Sequence, residues 1–377
     1  MKVTVLQENL ARGLNTVLRA VSPRSTLPVL SNILVATDEG RLRLSATNLE
    51  LGITCWIPAR IDENGSTTVP SRTLSDLVNT LSGDQVQLTL DVKTQTLHIK
   101  GGTSNNDIKC IDAQEFPPLS TPEMKDAVQL NVADFKEMIH QVAFASSTDE
   151  ARPVLMGVLM NVEKDKVTMA AADGFRLSVR KAQLAQSVSS PINIIIPARA
   201  LNELARVASD PDEPIYMVVP KNRSQVLFRV KDVEVVSQLI DGTFPDYHQI
   251  IPRSYKSRTL VSTAALLKAC KQAEIFAREG SNVARFDIKE SKGDMQPSEV
   301  EISATSEETG KNETIVEATV DGGSVLIAFN VKFLREALEV IKTPNVALET
   351  SAANAPGVVK PVGDDNFLHV IMPMHLG

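Results

Sequence analysis

The sequence predicts an α+β protein of three similar domains, each carrying two helices on one face of a mainly antiparallel sheet. Three observations lead there: internal repetition, two amphipathic helical patterns per repeat, and period-two apolar runs around them. The repetition comes first because it sets the scale of everything else. Pro28-Val29-Leu30-Ser31-Asn32-Ile33-Leu34 returns 125 residues later as Pro153-Val154-Leu155-Met156-Gly157-Val158-Leu159, and Ala46-Thr47-Asn48 returns at the same offset as Ala171-Ala172-Asp173. Val69 to Leu77 matches Ile196 to Leu204 at offset 127, and Phe116-Pro117 matches Phe244-Pro245 at 128. A fainter third copy places Ala304-Thr305-Ser306 at the Ala46 position and Phe329 through Glu336 on the stretch that begins at Pro70.

Each copy opens with a short strand and a helix. In the first helix Leu10, Leu14, Val17, Leu18 and Val21 recur at helical spacing, while Arg12 and Arg19 share a polar face. The equivalents carry Phe135, Ile139 and Val142 with Lys136 and His140, then Leu266, Leu267, Cys270 and Ala273 with Lys268 and Lys271. The second helix of each copy shows Leu74, Leu77, Val78 and Leu81; then Leu201, Leu204, Ala205 and Ala208; then Phe333, Ala337, Val340 and Ile341. Alternating runs such as Val86 to Leu90 and Val226 to Val230 read as strands. Polar, proline-flanked stretches near Thr121 to Ala127 and Pro252 to Ser257 place the boundaries, giving domains at 1–123, 124–254 and 255–377.

Composition narrows the function. A chain of 377 residues with 43% hydrophobic and 23% charged residues is globular, and it contains no apolar run long enough to span a bilayer and no signal-peptide pattern, which points to the cytoplasm. Cys55, Cys110 and Cys270 stand singly, against a disulfide framework or a cysteine-rich zinc site. No phosphate-cradling glycine loop and no H-E-x-x-H occurs, and His98, His140, His248, His369 and His375 lack metal-ligand spacing. No cofactor, metal or catalytic residue is therefore expected. The formal charge of -7 excludes a surface basic all over, though not a local basic strip, and 4% aromatics leave little for stacking bases.

With the three repeats in view, four motifs in order carry a specific likeness: Thr26-Leu27-Pro28-Val29-Leu30, Ala172-Asp173-Gly174-Phe175-Arg176-Leu177, Asp241-Gly242-Thr243-Phe244-Pro245-Asp246-Tyr247 and Val370-Ile371-Met372-Pro373-Met374. Together they resemble the bacterial DNA polymerase III beta-subunit family, the sliding clamps, over essentially the whole chain. The resemblance implies the DNA clamp fold: a homodimeric ring of six like domains, helices inside and sheets outside, encircling double-stranded DNA without sequence preference. Geometry agrees that one chain is too few. A 125-residue unit is a sphere about 35 Å across, so three in contact leave a hole of about 5 Å and six leave about 35 Å, against a duplex roughly 20 Å wide.

A tether that slides needs modest attraction to phosphates. Basic residues on the helix faces supply candidates: Arg12, Arg19, Arg72, Lys136, Arg199, Arg206, Lys268, Lys271, Lys332 and Arg335, with Arg24 in the loop after the first helix. The family likeness puts Arg24 and Arg72 at positions close to DNA. Simple solvation of polar faces is the competing reading, and recurrence at matched positions, as with Arg72 and Arg199, favours the functional one.

The resemblance also implies a hydrophobic cleft for short linear peptides of the replicative polymerase, the clamp loader and repair proteins. The matching positions are Leu155, Ala172, Gly174, Phe175, Arg176, Leu177, Pro245, Ile250, Val370, Ile371, Met372, Pro373 and Met374. Methionines suit an adaptable surface, and the Arg176 guanidinium is expected to hold a peptide carbonyl or carboxylate. The bland alternative assigns Ile371 and Met372 to a terminal strand and its core. This chain departs from the usual pattern at Phe175, Ala172, Gln249 and His375, which implies a more apolar and less positive cleft. For the contact between chains, the resemblance points to 98–109 against 299–308, with Lys93, Lys100 and Lys109 facing Glu299, Glu301, Glu307 and Glu308. Two other classes stay open on the residues alone: a monomeric three-domain scaffold, and a transferase built around Asp173 or Arg176.

Overall fold

The computed structural model describes residues 1–22, 27–119, 124, 127–220, 224–279, 281–290 and 298–375. Among them six α-helices alternate with strands in a recurring order: strand, helix, four strands, helix, three strands, to which the third copy adds the two-residue strand Pro373–Met374. The helices are α1 (Gln7–Val17), α2 (Ser71–Thr80), α3 (Val132–Val142), α4 (Ala198–Val207), α5 (Thr263–Ala277) and α6 (Val331–Glu339). The first copy differs only in splitting one strand into Leu51–Pro58 and Arg60–Glu63.

The described chain forms two compact units, 1–133 with 199–239 and 134–198 with 240–377. The first unit holds two antiparallel sheets. One runs Arg60–Glu63, Lys2–Leu6, Gln85–Asp91, Thr96–Gly101, Ser104–Lys109; the other has eight strands, in which Val233–Gln238 from the middle copy pairs with Leu51–Pro58 from the first. The second unit holds one sheet of thirteen strands, in which Arg176–Gln183 of the middle copy pairs with Phe367–Ile371 of the third. In each unit a sheet thus runs from one repeat into the next through a backbone ladder.

Helix packing follows the apolar periodicity, with two differences. Leu10, Leu14 and Val17 are buried, but α1 ends at Val17 and a 3₁₀ turn, Leu18–Ala20, leads to an extended Val21. On α6 Val331, Leu334, Ala337 and Leu338 are buried with Ile341 just beyond the helix, while Phe333 and Val340 are half-buried against the same core. The Asn330 side chain caps the helix by accepting the amides of Lys332 and Phe333. The second difference concerns sheet edges. Ser298–Ser306 is paired on both sides, so it offers no edge; the open backbone belongs to residues 310–317 of the neighbouring strand, with Ile315 exposed. Glu299 and Glu301 are also occupied within the chain, since both hold Lys289.

The core of the second unit centres on Phe286 and Phe329, fully buried and edge-to-face at 5.6 Å between ring centroids. Replacing Phe329 by alanine is expected to lower stability by about 3–5 kcal/mol in denaturant unfolding, whereas Val92→Ala, on an exposed turn, is expected to stay near zero.

Candidate functional site

The Asp173-Gly174-Phe175 turn of the second unit links strand Lys166–Ala172 to strand Arg176–Gln183. Gly174 takes φ +97°, a conformation that favours glycine. One oxygen of Asp173 accepts the amides of Phe175 (2.8 Å) and Arg176 (3.0 Å), and the other accepts Arg176 Nε at 3.0 Å. The turn so fixed leaves the Phe175 ring 58% exposed.

Beside it runs the end of the chain. Arg176 lies opposite Ile371 and Leu177 opposite Val370, and the ladder continues when Met372 donates its amide to the Phe175 carbonyl at 2.9 Å. Strand alternation then sorts the expected cleft residues. Ala172, Leu177, Val370 and Ile371 are buried, the first three in one cluster with Phe244 and Tyr247. Leu155, Met372, Pro373 and Met374 are half-buried, while Gly174, Phe175, Pro245 and Ile250 are exposed. The buried set serves as floor, and only the second set is available to touch a ligand.

Arg176 has a different role from the expected one. Its side chain is 8% exposed, and its guanidinium lies between the rings of Phe144 (5.3 Å) and Phe333 (4.2 Å). Its donors are taken by Asp173, by Glu336 and by the Phe144 carbonyl at 2.8 Å. It is a bolt under the turn, with each of its three guanidinium nitrogens already engaged inside the protein. The signal was absent from local spacing because Glu336 lies 160 positions away.

His369, fully buried on the last long strand, faces the Ser178 hydroxyl at 2.7 Å and stacks on Phe144. Burial, and secondarily the positive charge of Arg176, push its pKa down to about 3, so the ring is neutral in the fold.

The cationic candidates fall on both units. In the first, Arg12 on α1, Arg72 on α2, and Arg199 and Arg206 on α4 are exposed, with Arg19 on the 3₁₀ turn; Arg24 lies outside the described residues. Arg12, Arg19, Arg206 and Lys231 line a cavity of about 770 Å³. In the second, Lys136 on α3 is half-buried, and Lys268 and Lys271 on α5 and Lys332 on α6 are exposed. Several are paired. Glu203 holds Arg206 at 2.7 Å and Arg19 at 3.5 Å, Lys271 meets Glu339 at 3.0 Å, and Arg335 is held by Glu274 and Glu339. Sequence reasoning passed over these acids, although Glu203 with Arg206 and Arg335 with Glu339 have helical pair spacing.

Among the described residues no three His, Cys, Asp or Glu side chains are placed to hold a metal ion, and no helix is long and apolar enough to cross a membrane. Each unit therefore carries cations on its helices beside a sheet that continues from one repeat into the next, and the second adds a half-exposed apolar strand end, features of a surface suited to macromolecular partners. Three family profiles match in series: the N-terminal domain of the DNA polymerase III beta subunit over 1–120, its central domain over 129–246 and its C-terminal domain over 248–375. The chain is similar to the beta sliding clamps of Staphylococcus aureus, 36% identical over 99% of both chains, and of Staphylococcus epidermidis, 35% identical over the same share. Its fold superimposes on the DNA polymerase sliding clamp of Bacillus subtilis with TM-score 0.94 at 29% identity, and on the Thermotoga maritima beta subunit with TM-score 0.89 at 26%, each covering all of both chains. The chain therefore belongs to the bacterial DNA polymerase III beta-subunit family and is a DNA sliding clamp, a non-catalytic processivity factor. A transferase centred on Asp173 or Arg176 is set aside with that assignment.

Because the unfolded chain takes a proton on His369 near pH 6.5 and the fold resists it down to about 3, stability contributed by the neutral ring is present above pH 6.5 and falls as pH drops through that window. Thermal melts from pH 7 to 4 are expected to show His369→Gln losing less stability than wild type, by up to about 1.4 kcal/mol per pH unit below 6.5.

Proposed function

We propose that two chains, each divided at 1–123, 124–254 and 255–377, close into a six-domain ring around duplex DNA in the cytoplasm. The ring tethers the polymerase, the clamp loader and repair proteins by short linear peptides laid against Phe175, Met372 and Met374. The observation that carries this reading is the exposure of Phe175 beside a half-buried Met372 on directly paired backbone, over a floor already closed by Ala172, Leu177 and Val370. A peptide there gains apolar contact from a preformed surface and an adaptable thioether, with little reorganisation. Its specificity is set by apolar fit: Phe175 adds a ring, and the nearest arginine of the strand is held inward.

Duplex DNA is met by Arg24, Arg72, Arg12, Arg19, Lys136, Arg199, Arg206, Lys268 and Lys271, through phosphates and without base readout. The chains meet strand to strand, with Ser104–Lys109, the edge of the five-stranded sheet, against residues 310–317. Both edges carry unpaired backbone groups, and Ile315 supplies an apolar contact.

Titrating a labelled polymerase-tail peptide is expected to give about tenfold weaker binding to Met372→Ala and to Phe175→Ala than to wild type; equal affinities would remove the cleft from the account. Loaded protein is expected to stay on nicked circular DNA and to leave on linearisation. In sedimentation, Ile315→Asp is expected to convert a two-chain species to a one-chain species, and an unchanged mass would exclude residues 310–317 from the contact.

A further inference from the structure

Glu203 sits on α4 between the buried Leu201 and Leu204 and the exposed Arg206, and it is 7% exposed. One carboxylate oxygen accepts a hydrogen bond from Arg206 Nη1 at 2.7 Å. The other, buried and without a hydrogen bond, lies 3.5 Å from Arg19 Nη1. Arg199, one turn earlier, donates to the Arg19 carbonyl at 3.3 Å and holds that turn in place. The two arginine side chains remain 45% and 57% exposed, at the wall of a cavity they share with Arg12 and Lys231 and with Asp210, Glu213 and Asp232. Glu203, nearly buried, is thus the acid that pairs with both of these cations and faces them from the protein side.

Stability is a weak reason for this acid. Desolvating a carboxylate is costly, and a partly exposed ion pair returns little of that cost. The repeats show that the position has other solutions. The matching residue of α2 is Asp76, which is exposed and lacks an ion pair among the described residues, so Arg72 on that helix has no carboxylate partner. The matching residue of α6 is Glu336, which also holds two arginines, Arg176 and Arg335. Arg335 is restrained further by Glu274, itself buried. Carboxylates that hold cations from below thus occur in both compact units.

We propose that Glu203 is a positioning residue that brakes attraction to DNA, holding Arg19 and Arg206 so that only part of their charge reaches phosphates and the closed ring stays free to slide. The inference rests on the DNA-facing assignment of those arginines. Two guanidiniums over one carboxylate present a net single charge. With that acid neutralised, both forks are free to pair with phosphates, each adding about 0.9 to the slope of log affinity against log salt. Arg72 and Arg206 then differ in kind: the first acts at full strength, the second against an internal competitor.

The test is the salt dependence of binding to a short linear duplex, with the one-dimensional diffusion of the loaded ring as a second readout. Glu203→Gln is expected to steepen the slope by about 0.9 to 1.8 and to slow diffusion several-fold. In the wild-type background Arg206→Gln is expected to lower the slope by less than Arg72→Gln does, and in the Glu203→Gln background by about the same. A merely structural role for Glu203 shifts the melting temperature and leaves the slope alone. If Arg72→Gln lowers the slope and Glu203→Gln leaves it unchanged, the brake is overturned while the DNA-facing reading stands. If none of the arginine variants moves the slope, both fall. Should Glu203→Gln fail to fold, the comparison of Arg206→Gln with Arg72→Gln decides, and equal losses overturn the brake.

Discussion

The ladder between Arg176–Gln183 and Phe367–Ile371 is the constraint on which the site depends. It joins backbone of the middle repeat to the end of the chain, with Ser178 against a histidine 191 positions away. Each ladder bond contributes only about 0.5–1.5 kcal/mol, yet the register is what matters, because a slip of one residue would turn every side chain to the opposite face. In the observed register Val370 and Ile371 enter the core while Phe175 and Met372 stay accessible. The same register sets Arg176 between two rings and two carboxylates, which locks the turn that presents Phe175.

The first unit contains the same device with another outcome. Ser237 lies opposite Leu51, and Gln238 donates to the Glu50 carbonyl at 2.8 Å, as Met372 does to Phe175. Asn48 replaces Asp173 and accepts the amides of Glu50 and Leu51. Where the second unit has Gly174 at φ +97°, the first has Leu49 at +77°. The junction surface differs because its own chain packs on it: a Leu119 methyl lies only 2.8 Å from where a Cβ on Gly52 would stand. Glu50 stands at the place of Phe175. Duplication thus produced two junctions of one geometry, and side chains left the apolar opening at one of them.

Charge follows a comparable division. A net charge of -7 does not keep cations off the helices, and the fold sets acids among them. Glu203, Glu274, Glu336 and Glu339 convert what reads as a row of free basic residues into a graded one: Arg19, Arg206 and Arg335 are ion-paired, whereas Arg72 and Lys268 have no ion pair among the described residues. Such grading suits a ring that holds DNA by topology, since salt-dependent affinity grows with every neutralised phosphate.

Local sequence determined the repeat, the six helices and most of their buried faces, because apolar periodicity and matched offsets are properties of neighbouring residues. Through the four motifs it also carried the positions proposed for the cleft. Tertiary structure alone decided which of these positions are floor and which are surface, that Arg176 is enclosed, and that 310–317 rather than 299–308 forms the open edge. Nor could the sequence show that Phe333 of α6, half-buried against the core, also meets Arg176 on a distant strand. Periodicity tells a residue which way it faces along its own element; only the pairing of segments more than a hundred residues apart tells it what it faces, and burial, charge compensation and accessibility all depend on the second.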